Sequence, residues 1–234
     1  MSKILVLDAS TKGCSAAVFD AGKLVASLEL KNEKTSSSKL TLLAEQAIQL
    51  SDLRWEELDA IAVGKGPGSY TGLRIAVSTA KGFCFALDKP LIAVDSLSAM
   101  AVAAQAGLPV EKQGDWFLCP MIDARRMEVY CGIFDAQNRR KIREIEAVIL
   151  EETSFVQERN TKPLLVFGDG AEKCKSLWTN ADNVFFLDTI PAPTAAMMGE
   201  LALEKWTNQD FENLASFEPY YLKDFMVTTP KKNR

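Results

Sequence analysis

The chain has 234 residues, a 47% hydrophobic content, a net charge of −4 and no histidine. It is long enough for one large domain or two small ones with a substantial core, but its acidity gives no overall positive field to hold a polyanion such as RNA. Without imidazole there is no histidine-based triad, no histidine-ligated metal and no imidazole general base.

Five cysteines, at 14, 84, 119, 131 and 174, form no CxxC pair and sit mostly among apolar neighbours, as reduced core thiols do. The N-terminus runs directly into Ile4-Leu5-Val6-Leu7-Asp8 without a signal-peptide pattern, and no window approaches the roughly 18 apolar residues of a membrane span. A cytoplasmic protein without a membrane partner is therefore expected.

The first strand pattern, ending in Asp8, is followed by Ala16-Ala17-Val18-Phe19-Asp20, a turn at Gly22 and Leu24-Val25-Ala26, which together predict a three-strand meander. After Thr35-Ser36-Ser37-Ser38, with Ser38 as the expected cap, a helix over 39–48 carries Leu40, Leu43, Ala44 and Ala47 on one face. A strand over Ile61–Gly66 then enters Gly64-Lys-Gly-Pro-Gly-Ser-Tyr-Thr-Gly-Leu-Arg74 and a second helix. On that helix Leu73, Ala76, Val77, Ala80 and Cys84 form one stripe, and Ile75, Thr79, Gly82 and Ala86 a second stripe of mostly small residues. A short strand ending in Asp95-Ser96 and an Ala- and Met-rich helix complete a βββαβα unit.

From Trp116 the same order returns: Pro120–Asp123, Val129–Asp135, a strand near Ile142–Val148, a helical region, Leu165–Gly170 with its glycine pair, Phe185–Thr189 and a final Ala- and Met-rich helix. Asp8 and Asp20 are twelve positions apart, as are Asp123 and Asp135. The pattern predicts an α/β protein of two related lobes with mixed sheets, over 1–107 and 114–190, with the boundary in Ala106–Asp115 and a helix around 193–207 rejoining the first lobe. Lys231–Arg234 is the short basic cluster and reads as a solubilising tail.

The glycine loop has two readings. It can cradle a phosphate at a helix N-terminus, or it can be a structural strand-to-helix turn. It is not a Walker A loop, and Thr71 stands where GxGxxG would need its third glycine. In the first reading Gly66 and Gly68 meet a nucleotide whose Mg²⁺ faces Asp8 and Asp123 across the cleft. Against it, the turns after those aspartates are Ala9-Ser10-Thr11 and Ala124-Arg125-Arg126, without glycine. Arg125 and Arg126 can grip an anion, or pair structurally with Glu128 and Asp123; a structural or interface role is the favoured reading. The two helices are likewise open to two readings. Leu40, Leu43, Ala44, Ala47, Leu73, Ile75, Ala76, Thr79, Ala80 and Phe83 are candidates for a partner-docking surface, and the plainer reading is that both helices cover their own sheet.

Gly66-Pro-Gly-Ser-Tyr-Thr-Gly-Leu-Arg-Ile-Ala-Val-Ser-Thr-Ala-Lys-Gly82, Ile4-Leu-Val-Leu-Asp-Ala-Ser10 and Met121-Ile-Asp-Ala-Arg-Arg-Met-Glu-Val-Tyr130 resemble the TsaB (YeaZ) family of bacterial threonylcarbamoyladenosine tRNA-modification proteins. Pro219-Tyr-Tyr-Leu-Lys223 extends the resemblance near the end, where the family usually has Tyr-Leu-Arg. The resemblance implies an actin-like ATPase (ASKHA) fold with two duplicated βββαβα lobes. It also implies kinship with the catalytic TsaD subunit, whose two metal-binding histidines fall where this chain has Ser96 and Met100. A hydroxyl and a thioether do not replace two imidazoles, so metal-dependent peptidase chemistry is not expected. Many members also carry a His-Ser pair before the first helix, where this chain has Ser36-Ser37-Ser38.

By resemblance, the chain is a non-catalytic scaffold subunit that docks on a TsaD-type catalytic subunit through helices near 38–51 and 72–87. It would support threonylcarbamoyl transfer to adenosine 37 of tRNA, reach tRNA only through the complex, meet a TsaE-type ATPase and form homodimers through the same surface. No intrinsic cofactor is implied, with ATP or ADP placed at the complex interface. A charge at Ala76 or Thr79 is expected to block docking while sparing stability. The alternative function is a nucleotide-hydrolysing enzyme using Asp8, Asp123 and the glycine loop.

Overall fold

The computed structural model describes residues 2–31, 37–179, 181, 183–190 and 192–223. Strands β1 (Lys3–Asp8), β2 (Cys14–Asp20) and β3 (Lys23–Leu30) form an antiparallel meander. From β3 the chain crosses through α1 (Ser37–Leu50) to β4 (Ala60–Gly66), and through α2 (Tyr70–Leu87) to β5 (Leu91–Asp95); β4 is parallel to β1, and β5 to β4. The sheet order is β3-β2-β1-β4-β5. Helices α3 (Ser96–Gly107) and α4 (Val110–Gln113) lead to the second meander, β6 (Phe117–Asp123), β7 (Glu128–Asp135) and β8 (Lys141–Ile149). Then come α5 (Val156–Thr161), β9 (Leu164–Phe167), α6 (Glu172–Leu177), β10 (Val184–Leu187) and α7 (Gly199–Thr207). Its order, β10-β9-β6-β7-β8, is the first sheet's order repeated. This duplicated mixed sheet is the actin-like ATPase fold.

The central strands are apolar on both faces because both faces are covered. On one side of the first sheet, Leu5, Leu7, Ile61 and Val63 pack under Leu40, Leu43, Ala44 and Ala47 of α1 and Ala76, Val77 and Ala80 of α2. On the other, Ile4, Val6, Ala62 and Ile92 pack against Ala195, Met198 and Ala202, which belong to α7 and the turn before it. Helix α3, by contrast, lays Leu97, Met100, Ala101 and Ala104 against Leu118, Ile122, Leu165 and Phe167 of the second sheet. The last helix of each half therefore serves the other half's sheet. All five cysteines are free and buried.

Some local expectations shift. The third strand runs to Leu30 rather than ending near Ala26, and the boundary stretch Ala106–Asp115 holds the short helix α4. Helix α1 already includes Ser37, so Ser38 lies inside its first turn rather than capping it. Thr35, Ser36 and the basic cluster Lys231–Arg234 lie outside the described residues.

Candidate functional site

The glycine loop is occupied by the protein itself. A Cβ on Gly68 would lie 2.1 Å from the Ser10 carbonyl oxygen, and one on Gly72 would lie 1.9 Å from that of Ala9. The Ser69 amide donates to the Ser10 carbonyl at 2.6 Å, and the Ser69 side chain caps α2 by accepting from the Gly72 N–H at 3.3 Å. The turn after β1 thus fills the concavity that a phosphate would need, and it presents carbonyl oxygens there. Those dipoles repel an anion; Gly68 and Gly72 are small enough to seat the loop on that turn, while Gly66 lies against Leu73 and the Tyr220 carbonyl.

Asp8 is 2% exposed. Its Oδ2 accepts from the Ser10 N–H at 3.3 Å and the Ser10 hydroxyl at 3.1 Å, while Oδ1 has no hydrogen-bond partner among the described residues. Oδ1 lies against Gly64, where a Cβ would approach it to 2.2 Å. Burial pushes the Asp8 carboxyl up to about 7 despite the Ser10 hydrogen bonds, so near neutral pH it is held partly as the acid.

Beside Asp8 a cleft of about 200 Å³ opens, lined also by Lys12, Glu29, Lys31 and Asp169. It is smaller than the roughly 300–1,000 Å³ of ordinary ligand pockets. The acids that share this cleft with Asp8 are Glu29 and, from the other lobe, Asp169, not Asp123. Burial raises the Asp169 carboxyl, and its Oδ1 accepts from the Asp123 N–H at 2.9 Å. Asp123 is exposed, with Oδ1 taken by the Lys173 ammonium at 2.6 Å and the Arg125 N–H at 2.6 Å. Partial burial works against ionisation there, yet these donors hold the Asp123 carboxyl below its usual range. The two aspartates of the nucleotide reading thus differ in setting: Asp8 is enclosed and Asp123 is clamped by a lysine. Asp169 escaped the sequence reading, although its place between Gly168 and Gly170 was the available signal.

Arg125 and Arg126 sit at the β6–β7 turn with φ of 71° and 50°, and both are exposed. The expected side-chain pairing with Asp123 and Glu128 does not form among the described residues. Asp123 binds the Arg125 backbone, and Glu128 pairs with Lys223. Ser96 and Met100 are both fully buried; Met100 packs in the core between α3 and the second sheet. Among the described residues no three Cys, Asp or Glu side chains converge on a metal position.

Most of the candidate docking residues face inward. Leu40, Leu43, Ala44, Ala47, Leu73, Ala76 and Ala80 are buried, six of them in the core under the first sheet, so they offer no atoms to a partner. Ile75, Thr79 and Phe83 are half-exposed, and Phe83 leans on Trp55 with ring centroids 4.8 Å apart. The open face of the same helices carries Leu42 (43% exposed), Leu50 (64%) and Phe85 (84%), together with Ser78 and Gly82. Periodicity alone had not flagged these three large apolar residues, because each lies just outside the stripes traced in sequence.

The family model described as TsaD, tRNA N6-adenosine threonylcarbamoyltransferase, matches residues 30–163, more than half the chain. The tRNA threonylcarbamoyladenosine biosynthesis protein TsaB of Haemophilus influenzae is 29% identical, with 94% of this chain and 93% of that protein covered. The chain belongs to the TsaD-related TsaB (YeaZ) family. The TsaB of Escherichia coli is 27% identical, with 95% of each chain covered. YeaZ from Pseudomonas aeruginosa superposes with a TM-score of 0.75 at 27% identity, over 95% of this chain and all of that one. Family membership accounts for the actin-like fold.

Proposed function

We propose that the chain is a non-catalytic subunit of the machinery that makes threonylcarbamoyladenosine in tRNA, and that it docks on the TsaD-type catalytic subunit through the outer face of α1 and α2. The names of its relatives support the role in tRNA modification. The observation that carries the docking surface is the seam on α2. Ile75, Ser78, Gly82 and Phe85 recur at intervals of three and four, with small residues that admit another helix closely and an aromatic ring 84% exposed at the end. Both helices cross between parallel strands, so they run side by side and bring Leu50 and Phe85 to the same end of the sheet. Burying Phe85 alone is worth about 1.5–3 kcal/mol. In this reading homodimers use the same face, a TsaE-type ATPase joins the pair, tRNA is held by the complex as a whole, and ATP or ADP belongs to the interface rather than to this chain's cleft.

The test is co-elution with the TsaD-type subunit. Phe85→Glu and Ser78→Arg are expected to abolish it with thermal stability unchanged; co-elution at wild-type level would sink the assignment. The alternative, ATP hydrolysis through Asp8 and Asp123, requires ADP–Mg²⁺ binding by the isolated chain that Asp8→Ala abolishes. The closed loop and enclosed Asp8 lead us to expect no such binding by calorimetry.

A further inference from the structure

The chain has four tyrosines, and all four line one groove. Tyr70 comes from the start of α2, Tyr130 from β7 of the other lobe, and Tyr220 and Tyr221 from the segment that follows α7. That segment is pinned in place. The Tyr220 N–H donates to the Lys65 carbonyl at 2.8 Å, and the Arg74 Nε donates to the Tyr221 hydroxyl at 3.0 Å. The Arg74 guanidinium lies 4.1 Å from the Tyr70 ring centroid, and the Tyr70 and Tyr221 rings are 5.0 Å apart. Tyr220 is 44% exposed, with its backbone fixed.

The surroundings are cationic, on a chain that is acidic as a whole. Lys223 lines the groove and pairs with Glu128, whose N–H donates to the Arg125 carbonyl at 3.2 Å, so the β6–β7 turn that carries Arg125 borders the groove. Arg126 follows Arg125 on the exposed turn, and neither guanidinium has an ion-pair partner among the described residues. The acids nearby are Asp123, held by the Lys173 ammonium and the Arg125 N–H, Glu128, which pairs with Lys223, and Glu218, whose charge acts on Arg74. An exposed aromatic ring on a fixed backbone, an arginine stack and unpaired guanidinium groups are the recognition chemistry of unstacked nucleotides: bases lie on ring faces and phosphates meet the cations.

We propose that this groove binds a single-stranded stretch of RNA, with Tyr220 as a stacking platform and Arg125 and Arg126 on the phosphates. The proposal rests on the tRNA-modification reading above and deepens it, since that reading has tRNA held only through the complex. The groove spans both lobes and lies beside the N-terminus of α2, so RNA and the partner subunit can be held on one molecule at once.

The experiment titrates an unmodified tRNA transcript into the complex with the TsaD-type subunit, at several salt concentrations. Tyr220→Leu is expected to weaken binding about tenfold with little change in salt slope, while Tyr220→Trp retains it. The double variant Arg125→Glu, Arg126→Glu is expected to weaken binding and to flatten the salt dependence by about two charges. Size-exclusion chromatography of the same variants reads complex formation separately. If the wild-type chain forms no complex, the docking assignment fails, and the same titrations on the full chain alone still decide the groove. Unchanged tRNA affinity in both Tyr220→Leu and the double arginine variant overturns the proposal. So does loss of complex formation with tRNA affinity intact, which would make the groove a protein-docking face.

Discussion

At the level of single residues, Asp8 couples the fold to pH. Its folded pKa, about 7, is raised above that of an unfolded aspartate, so its contribution to stability is complete below about pH 4 and is lost as pH climbs through 7. The limiting slope for one such proton is about 1.4 kcal/mol per pH unit. Asp8→Asn keeps an oxygen for Ser10 and removes the titration. Its stability relative to wild type is therefore expected to rise from about pH 4 to about pH 7 and then level off in denaturant unfolding, and a constant difference would show that Asp8 does not titrate in this window. The glycines of the loop make a paired test. Gly72→Ala drives a methyl into the Ala9 carbonyl and is expected to cost about 2 kcal/mol or more, whereas a Cβ on Gly82 meets nothing within 4 Å. Gly82→Ala should then stabilise α2 by up to about 1 kcal/mol on helix propensity. Equal melting shifts would mean that the loop is not seated on the turn after β1 as described.

At the level of elements, α2 shows what sequence periodicity conveys and what it leaves out. Its apolar stripe was legible as Leu73, Ala76, Val77, Ala80 and Cys84, and those residues are buried. Which stripe meets the sheet was not legible, because Ala and Thr suit either environment. Tertiary packing decided it: Ala76 has no exposed surface, so a glutamate there buries an unpaired charge. Ala76→Glu is thus expected to lower stability by about 3 kcal/mol or more and to lose partner binding through unfolding. Phe85→Glu should lose partner binding while melting at the wild-type temperature. Circular dichroism melts run beside co-elution separate the two. The loop was legible as a tight strand-to-helix turn from its glycines, but its closure was not, since the groups that fill it come from the turn after β1, some sixty positions earlier.

For the whole molecule, the duplication was readable from the twelve-residue spacing of Asp8–Asp20 and Asp123–Asp135, and both sheets repeat one strand order. The last helix was read as rejoining the first lobe, but the packing of α3 on the second sheet was not, because an Ala- and Met-rich amphipathic pattern does not say whose sheet it covers. The physical reason lies in the sheets: each has two apolar faces, and each face needs a cover. A fragment of residues 1–107 lacks α7 and leaves Ile4, Val6, Ala62 and Ile92 facing water, while its own α3 has lost the second sheet. Such a fragment is expected to show no cooperative thermal transition, and a sharp transition at the full-length temperature would contradict this packing.

The exchange of α3 and α7 also bears on how the chain is made. The first lobe's sheet is complete in synthesis by Asp95, but the helix that covers its second face ends at Thr207. An N-terminal domain ordinarily folds while the ribosome is still extending the chain behind it. Here that order is closed off, and for more than a hundred residues of translation the nascent sheet must keep an apolar face open until its last helix emerges.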